Sequence, residues 1–336
     1  MNTINVVLAS RLEEDLQRRV AAADKRIKVI DATDVFEASL PGAAPGNRRA
    51  ELDSLLREAE VLLMPRAPWP PDIFSQTPKL RWVQYIGAGV DSAAARSLLD
   101  TEYIVTNSRG TQNIPISEYV MAVMLMFVKM SPRCFANKQA RRWQKIDFLE
   151  LHGKTLGIVG LGSIGNEIIR LARAFSMRIV ATRKSAVKKE SSVMGVDTLY
   201  PPQDLLEMLG ECDFVVMTVA LTDETKKMIG ERELKAMKPT GVLINVARGG
   251  VVDQAMLIRA LKEGWIGGAG LDVFEKEPLV PESELWELPN VIISPHVSAR
   301  SEMRNVRLTD LFCENLKRYA NGQQPLINEI DRAKGY

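Results

Sequence analysis

Short runs of apolar, often β-branched residues alternate along the whole chain with segments whose apolar residues recur at helical spacing. Segments such as RLEEDLQRRVAAA and NRRAELDSLLREA have the three- and four-residue spacing of amphipathic helices. Alternation of this kind predicts mostly parallel sheets with helices on both faces. In the first hundred or so residues the predicted strands are 4–10, 27–32, 60–65, 82–87 and 103–108.

A second series of strands begins after residue 150 and predicts a dinucleotide-binding sheet of six strands. These strands are 155–160, 178–182, 213–219, 242–247, 268–274 and 291–294, with helices predicted at 163–175, 203–209, 231–237 and 253–263. The last forty or so residues are polar and helical. We expect them to pack back on the first domain.

The predicted fold class is therefore α/β, with two Rossmann-like or flavodoxin-like doubly wound parallel-sheet domains and a cleft between them. A substrate domain is expected over 1–103, completed by 297–336, and a dinucleotide-binding domain over 104–296. The length of 336 residues agrees with two domains, since single cores usually stop growing near about 250–300 residues.

Composition adds mainly exclusions. The chain is 46% hydrophobic and 26% charged, with a net charge of +2, so no strong field favours a nucleic-acid or membrane partner. Its longest apolar run, 119–130, is too short to span a bilayer. The start lacks the pattern of a signal peptide. The cysteines, Cys134, Cys212 and Cys313, have no metal-site spacing, so we expect reduced thiols, a cytoplasmic location and no metal.

The segment GIVGLGSIG carries the G-x-G-x-x-G pattern directly after a predicted strand and at the start of a predicted helix. Gly160 would permit the tight turn, Gly162 would let a pyrophosphate approach, and Gly165 would let the helix pack on the strand. The amides of Ser163 and Ile164 would then face the phosphates. A glycine turn used only for packing is the alternative.

The second strand of this domain ends in ATRKS, where NAD-binding sheets carry an acidic residue for the ribose. Arg183, 18 positions after Gly165, is followed by Lys184 and Ser185. Because a guanidinium can bind a 2′-phosphate that a carboxylate would repel, the segment favours NADP(H), with NAD(H) possible. A solvated basic loop is the alternative.

Three residues with complementary chemistry follow the ends of three strands: Arg248, Glu277 and His296. Histidine suits proton donation to a ketone that receives a hydride, because it titrates near neutrality. A carboxylate beside it would stabilise the imidazolium, and arginine grips a substrate carboxylate. Two glycines after Arg248 are expected to leave backbone room for a ligand. Taken singly, each residue could be a surface charge or a structural side chain.

The segments GKTLGIVGLGSIG, INVARGGVVDQAMLIRAL, GAGLDVFEKEPL and LPNVIISPHVS together resemble the D-isomer-specific 2-hydroxyacid dehydrogenase family. The resemblance implies that Arg248 binds substrate and that Glu277 pairs with His296 as the catalytic histidine. It further implies that Asp272 contacts the nicotinamide carboxamide. Val246, Ala247 and Arg248 would line the nicotinamide side of the pocket.

Other segments match the family less strongly. The segment 219–225, with Thr225 as a cofactor-binding candidate, looks like the loop over the adenosine, but Val219 and Ala220 replace its usual cysteine and proline. The segment 85–92 is similar to the loop whose amides hold the substrate carboxylate, which suggests Ala88 and Gly89, although a plain turn is the alternative. Trp143 falls in the arm that often crosses to a partner subunit, so a homodimer is expected.

Two departures refine the expected activity. The segment ATRKS resembles NADPH-using reductases of glyoxylate and hydroxypyruvate, while Glu277 disfavours formate dehydrogenases, which carry glutamine there. The longer phosphoglycerate dehydrogenases are disfavoured because no regulatory domain follows residue 336. The predicted function is hydride transfer between NADP(H) and a small 2-oxoacid or D-2-hydroxyacid. Alternatives are a nicotinamide-dinucleotide-sensing, corepressor-like regulator and a dehydrogenase for phosphite or a bulkier 2-oxoacid. The other histidine, His152, is assigned no catalytic role.

Overall fold

The protein is described by a computed structural model over residues 3–43, 48–70, 72–90 and 93–332. The chain forms two compact units. Unit 1 comprises Met1–Thr111 and Ser301–Tyr336, and unit 2 comprises Gln112–Arg300.

Unit 1 contains a five-stranded parallel sheet of order β2-β1-β3-β4-β5. Its strands are β1 (Ile4–Leu8), β2 (Ile27–Asp31), β3 (Val61–Met64), β4 (Trp82–Tyr85) and β5 (Ile104–Thr106). Its helices are α1 (Glu14–Ala21), α2 (Thr33–Glu37), α3 (Arg49–Arg57), α4 (Ala93–Arg96) and α11 (Arg304–Ala320).

Unit 1 extends past the predicted boundary at residue 103 because β5 is an edge strand of its sheet. Ile104 pairs with Trp82 of β4, and the backbone nitrogen of Ile330 donates to the carbonyl of Val105. Asn107 likewise donates its backbone N–H to Asn328. The predicted boundaries at 103 and 297 are therefore corrected to 111 and 301.

Both faces of the unit 1 sheet are buried. Successive side chains of β1 point to opposite faces of the sheet, and each face packs in its own core. Val7 belongs to the core beneath α2 and α3, whereas Val6 and Leu8 belong to the core beneath α1 and α11. In the second core the Phe312 ring of α11 lies 5.4 Å from the Trp82 ring, and both residues are 0% exposed. The C-terminal helix therefore completes the first unit.

Unit 2 contains an eight-stranded sheet of order β13-β12-β11-β10-β6-β7-β9-β8, parallel except for β8. Its strands are β6 (Thr155–Val159), β7 (Arg178–Thr182), β8 (Glu190–Val193), β9 (Val196–Tyr200), β10 (Phe214–Met217), β11 (Val242–Asn245), β12 (Gly268–Leu271) and β13 (Val291–Ile293). Its helices are α5 (Asn113–Val128), α6 (Ser131–Gln139), α7 (Ser163–Ala174), α8 (Leu205–Glu211), α9 (Glu231–Ala236) and α10 (Gln254–Glu263).

The predicted α/β class with a doubly wound parallel sheet in each domain is confirmed, but the count of six strands in the second sheet is wrong. The strands β8 and β9 form a hairpin that extends the sheet beyond β7, with Val180 opposite Thr198. Polar, exposed residues dominate β8, so its sequence lacks the apolar signal of a buried strand. Strand β9 pairs with β7 and is mostly buried.

The helix α5 is strongly apolar and is buried along much of its length, for example at Val120 and Met124. It packs with α7 on one face of the sheet of unit 2. No single helix among the described residues is long and apolar enough to span a membrane. The pair α5 and α6 passes that test only together, across a bend of 64°.

Beyond α5, the segment 131–150 is largely exposed. Trp143 is 99% exposed, and Phe135, Phe148 and Leu149 are each more than half exposed. The segment ends back at α5, where the backbone N–H of Leu149 donates to the carbonyl of Val128. We call 131–150 the arm.

Candidate active site

The glycine loop lies between β6 and α7, as predicted, and each glycine has a distinct reason in the structure. Gly160 has φ +99°, and a Cβ there would lie 2.9 Å from the backbone nitrogen of Val219. A Cβ on Gly165 would lie 3.2 Å from Ile158 Cγ2, so helix and strand pack closely. A Cβ on Gly162 would meet open space, which leaves room for a ligand to approach the backbone.

The start of α7 suits an anion. Gly162 is its N-cap and supplies no side-chain hydrogen bond, so the amides of the first turn, which include those of Ser163 and Ile164, have no cap from this residue. The positive end of the helix dipole lies at the same point. These features fit the pyrophosphate of a dinucleotide.

Arg183, Lys184 and Ser185 directly follow β7, next to the glycine loop. The backbone carbonyl of Thr182, the last residue of β7, accepts hydrogen bonds from the amides of Gly160 and Leu161 at 2.9 and 3.2 Å. Lys184 and Ser185 are exposed and Arg183 is partly exposed. This corner carries cations where a ribose-binding acid would otherwise stand.

The loop 219–225 is held by its own hydroxyl groups. The Thr225 hydroxyl donates to the carbonyl of Ala220 at 2.7 Å and accepts from the amide of Thr222 at 2.8 Å. The Thr225 side chain thus has an internal role that the sequence did not indicate, and its cofactor contact stays a prediction.

The register of the sheet in unit 2 aligns the ends of three neighbouring strands. Asn245 of β11 pairs with Leu271 of β12, which pairs with Ile293 of β13. Residues that follow these strands therefore leave the sheet from one edge. Parallel α/β sheets bind ligands at this carboxyl edge.

Glu277 and His296, which follow β12 and β13, meet at this edge. His296 Nδ1 lies 2.7 Å from Glu277 Oε2, while Glu277 Oε1 accepts the backbone N–H of Phe274 at 3.1 Å. Both side chains are partly exposed, at 38% for the histidine and 36% for the glutamate. The carboxylate orients the ring through Nδ1. Nε2 has no hydrogen-bond partner among the described residues and is left for a reacting group.

Asp272, the first residue after β12, holds the loop that carries His296. It is 0% exposed, and it accepts the backbone N–H groups of Val297 and Ser298 at 2.8 and 3.0 Å. Ser294 Oγ also donates to it at 2.5 Å. Its predicted contact with a carboxamide stays a prediction, and its observed hydrogen bonds fix the loop.

Sequence reasoning missed Ser294 and Tyr119. The Tyr119 hydroxyl on α5 is hydrogen-bonded to Ser294 Oγ at 2.8 Å. Burial raises the pKa of the Tyr119 phenol, and the negative charge of Asp272 adds to the increase. The one signal in the sequence for the role of Ser294 is that it lies at the end of a predicted strand.

Arg248 lies in the loop after β11 and is partly buried. Its Nη1 donates to the carbonyl of Ala247 at 2.7 Å, and its own carbonyl accepts from Asn245 Nδ2 at 3.0 Å. Val246 and Ala247, predicted to line the nicotinamide side, are each 6% exposed.

The expectation that both glycines after Arg248 leave room for a ligand is wrong for Gly249. A Cβ on Gly249 would lie 1.8 Å from the carbonyl carbon of Phe274, so the backbones of the two loops touch. This contact joins the loop of Arg248 to the segment that leads to Glu277.

Ala88 and Gly89 lie in unit 1, in the loop after β4, and both are partly exposed. Their contact with a substrate carboxylate stays a prediction. His152 is exposed. Among residues 3–43, 48–70, 72–90 and 93–332, no group of three or more histidine, cysteine or acidic side chains could hold a metal ion.

Comparison with known proteins identifies the family of this chain. Residues 121–298 match the sequence model of the NAD-binding domain of D-isomer specific 2-hydroxyacid dehydrogenases. The chain is 38% identical over 269 residues to the glyoxylate reductase of Korarchaeum cryptofilum. The aligned region covers 77% of this chain and 79% of that relative.

Two solved structures are similar over nearly the full length of the chain. A D-isomer specific 2-hydroxyacid dehydrogenase family protein from Aeromonas salmonicida is 31% identical, with a TM-score of 0.81, over 98% of this chain and 100% of that one. The NADPH-dependent glyoxylate/hydroxypyruvate reductase of Sinorhizobium meliloti, solved with NADP and sulfate, is 27% identical, with a TM-score of 0.77, over 99% and 100%. With its glycine loop and its paired histidine and glutamate, the chain belongs to the D-isomer specific 2-hydroxyacid dehydrogenase family and is an oxidoreductase.

Proposed function

We propose that the protein is a reductase of small 2-oxoacids, of the size of glyoxylate or hydroxypyruvate, that prefers NADPH. The contact of 2.7 Å between His296 and Glu277 carries the proposal, because it supplies an oriented proton donor. Relatives named glyoxylate reductase, 38% identical in the case of Korarchaeum cryptofilum, support the substrate class.

The cofactor would supply the hydride. Unit 2 would bind it, with the pyrophosphate at the amides of Ser163 and Ile164, and with Asp272, Val246 and Ala247 near the nicotinamide. The preference for NADPH is supported by Arg183 at the end of β7, where no acid stands to repel a 2′-phosphate.

The residues of this chain would act on the substrate in complementary ways. Arg248 would bind its carboxylate, with the backbone amides of Ala88 and Gly89 as further donors. His296 would give a proton from Nε2 to the carbonyl oxygen as negative charge develops there. Glu277 would accept a hydrogen bond from Nδ1, which keeps Nδ1 protonated and holds the ring in place. In the reverse direction the neutral histidine would accept the proton.

The test is the rate of NADPH and NADH oxidation by the purified protein with glyoxylate, hydroxypyruvate, pyruvate and phenylpyruvate. We expect higher kcat/KM for the two smallest substrates and for NADPH. Equal or higher rates with NADH would refute the cofactor preference. Faster turnover of phenylpyruvate, or faster reduction of NADP+ or NAD+ when phosphite is supplied as the hydride donor, would refute the substrate class. Turnover of no substrate would favour a dinucleotide-sensing regulator.

We further propose that the protein acts in the cytoplasm as a homodimer. The three cysteines, Cys134, Cys212 and Cys313, are free thiols, which suits a reducing compartment. The arm exposes Trp143 and three other large apolar residues, and large exposed apolar patches mark association surfaces.

The oligomeric state can be measured by sedimentation equilibrium. We expect a native dimer that the double substitution Trp143→Ala with Phe148→Ala converts to monomer. Trp286→Ala, which removes a tryptophan that is 50% exposed outside the arm, is the matched control and should stay dimeric. A native monomer, or a dimer that persists in the arm variant, would contradict the proposal.

A further inference from the structure

The two cations of the ATRKS corner are not equivalent in the structure. Arg183 Nη1 donates to Met194 Sδ at 3.1 Å, and a thioether is only a weak acceptor. Among the described residues, no carboxylate forms an ion pair with Arg183. Lys184, in contrast, donates from Nζ to Glu224 Oε2 at 2.5 Å.

Glu224 reaches this corner from a different loop. It lies between β10 and α9, forty positions away from Lys184 in the sequence. The turn that carries it is closed by the backbone N–H groups of Thr225 and Lys226, which both donate to the carbonyl of Thr222 at 3.1 and 2.9 Å. These hydrogen bonds fix the backbone of the turn, and the contact with Lys184 places the Glu224 carboxylate beside the corner.

We propose that Glu224 is a specificity-determining residue that weakens the preference of this corner for a 2′-phosphate. The inference rests on the proposed use of NADP(H). Glu224 acts in two ways: it neutralises Lys184, and it adds a negative charge near the position of the 2′-phosphate. A phosphate must compete for Lys184, whereas the 2′-hydroxyl of NAD(H) leaves the ion pair intact.

The size of the effect follows from the exposure of the pair. The side chains are 77% and 66% exposed, so water and salt screen the charges. Exposed pairs of this kind correspond to roughly a two- to fivefold change in affinity. Glu224 therefore adjusts a preference that Arg183 establishes, and accounts for the expected residual use of NAD(H).

The test compares two adenosine ligands that differ only in the 2′-phosphate, adenosine 2′,5′-bisphosphate and 5′-AMP, by calorimetric titration at low, constant ionic strength. Glu224→Gln should tighten binding of the bisphosphate about two- to fivefold and leave 5′-AMP unchanged. The ratio of kcat/KM for NADPH to that for NADH should rise by a similar factor. Unchanged or weaker bisphosphate binding would overturn the inference.

Glu231→Gln is the matched control, since Glu231 forms an exposed ion pair with Lys235 within α9 at a similar distance, 2.6 Å. Glu231→Gln should change the affinity for neither ligand. If it tightened bisphosphate binding as much as Glu224→Gln does, the change would reflect net charge alone, and the inference would be overturned. Lys184→Gln should weaken bisphosphate binding more in the Glu224→Gln background than in the native protein. Equal losses in both backgrounds would also overturn it.

Arg183→Ala separates this inference from the proposed function. A selective loss of bisphosphate affinity would support the corner as a phosphate site. If Arg183→Ala shows that loss but Glu224→Gln binds the bisphosphate as the native protein does, only the role of Glu224 is overturned. If Arg183→Ala leaves both ligands unaffected, the proposed preference for NADPH and the inference fail together.

Discussion

His296 has a backbone conformation that few residues other than glycine adopt. Its φ is +54°, in the left-handed region, where histidine, asparagine and aspartate occur more often than other side chains. The hydrogen bonds from Val297 and Ser298 to the buried Asp272 hold the loop in this form. The left-handed conformation costs backbone energy, and these hydrogen bonds offset that cost and fix the position of the ring, as is common at functional sites.

At this scale we expect His296→Asn to lower kcat for the best 2-oxoacid by about 10²–10⁴-fold, because asparagine cannot donate a proton as an acid. Asparagine tolerates the left-handed conformation, so the loop should persist and the dissociation constant of the cofactor should change little. Steady-state kinetics and a cofactor titration measure the two effects.

The other histidine supplies the control, because His152 is exposed and lies before β6. His152→Asn should retain native kcat. A His296→Asn enzyme whose rate stays within a few-fold of the native rate would refute the assignment of this residue as the acid.

At the scale of elements, the site depends on loops that follow adjacent parallel strands. The pairing of Asn245, Leu271 and Ile293 aligns the ends of β11, β12 and β13. The loops then pack on each other, most closely where Gly249 meets the backbone of Phe274. Because that neighbour is main chain, no change of side-chain rotamer can make room for a larger residue.

We therefore expect Gly249→Ala to destabilise the protein by more than the roughly 1–3 kcal/mol typical of overpacking, and to lower kcat by displacing the loops of Arg248 and Glu277. Urea unfolding and steady-state kinetics are the measurements. Gly250→Ala is the matched control, since its Cβ would meet the two methyl carbons of Leu221 at 3.3 and 3.4 Å, and a leucine side chain can shift. Equal stabilities of the two variants would contradict this account.

At the scale of the whole molecule, the chain leaves unit 1 after residue 111 and returns to it at residue 301. The return is made by α11, whose Leu308, Phe312 and Leu316 are buried against the sheet of unit 1. Unit 1 therefore requires both ends of the chain, whereas the core of unit 2 is built from one continuous segment.

The consequence is that Phe312→Ala should destabilise unit 1 by about 3–5 kcal/mol, the usual cost of a large cavity in a core. Hydrogen exchange followed by mass spectrometry should show faster exchange in β1, β3 and β4, with little change in β6 and β10. Trp286→Ala, at a site that is 50% exposed and outside the arm, is the control and should leave both units unchanged. Uniform acceleration across the two units would argue against separate cores.

Much of the fold and part of the site could be predicted at the level of single elements. Most strands and the glycine loop have strong local signals, because a buried parallel strand needs a continuous apolar run and a tight turn needs glycine. The hairpin of β8 and β9 was missed because β8 is polar. The hairpin joins the edge of the sheet because β9 pairs with β7, and a strand elsewhere in the sequence leaves no signal in the residues of the hairpin itself.

The sequence by itself determined which side chains are present at each strand end: a glycine turn after β6, cations instead of an acid after β7, and an arginine, an acid and a histidine after later strands. Only the tertiary structure decided which of these side chains meet. His296 reaches Glu277 across 19 positions, Lys184 reaches Glu224 across forty, and Asp272 reaches a neighbouring loop. The physical reason is that turn and burial preferences act over a few residues, whereas contacts between loops depend on the order and register of the strands that carry them.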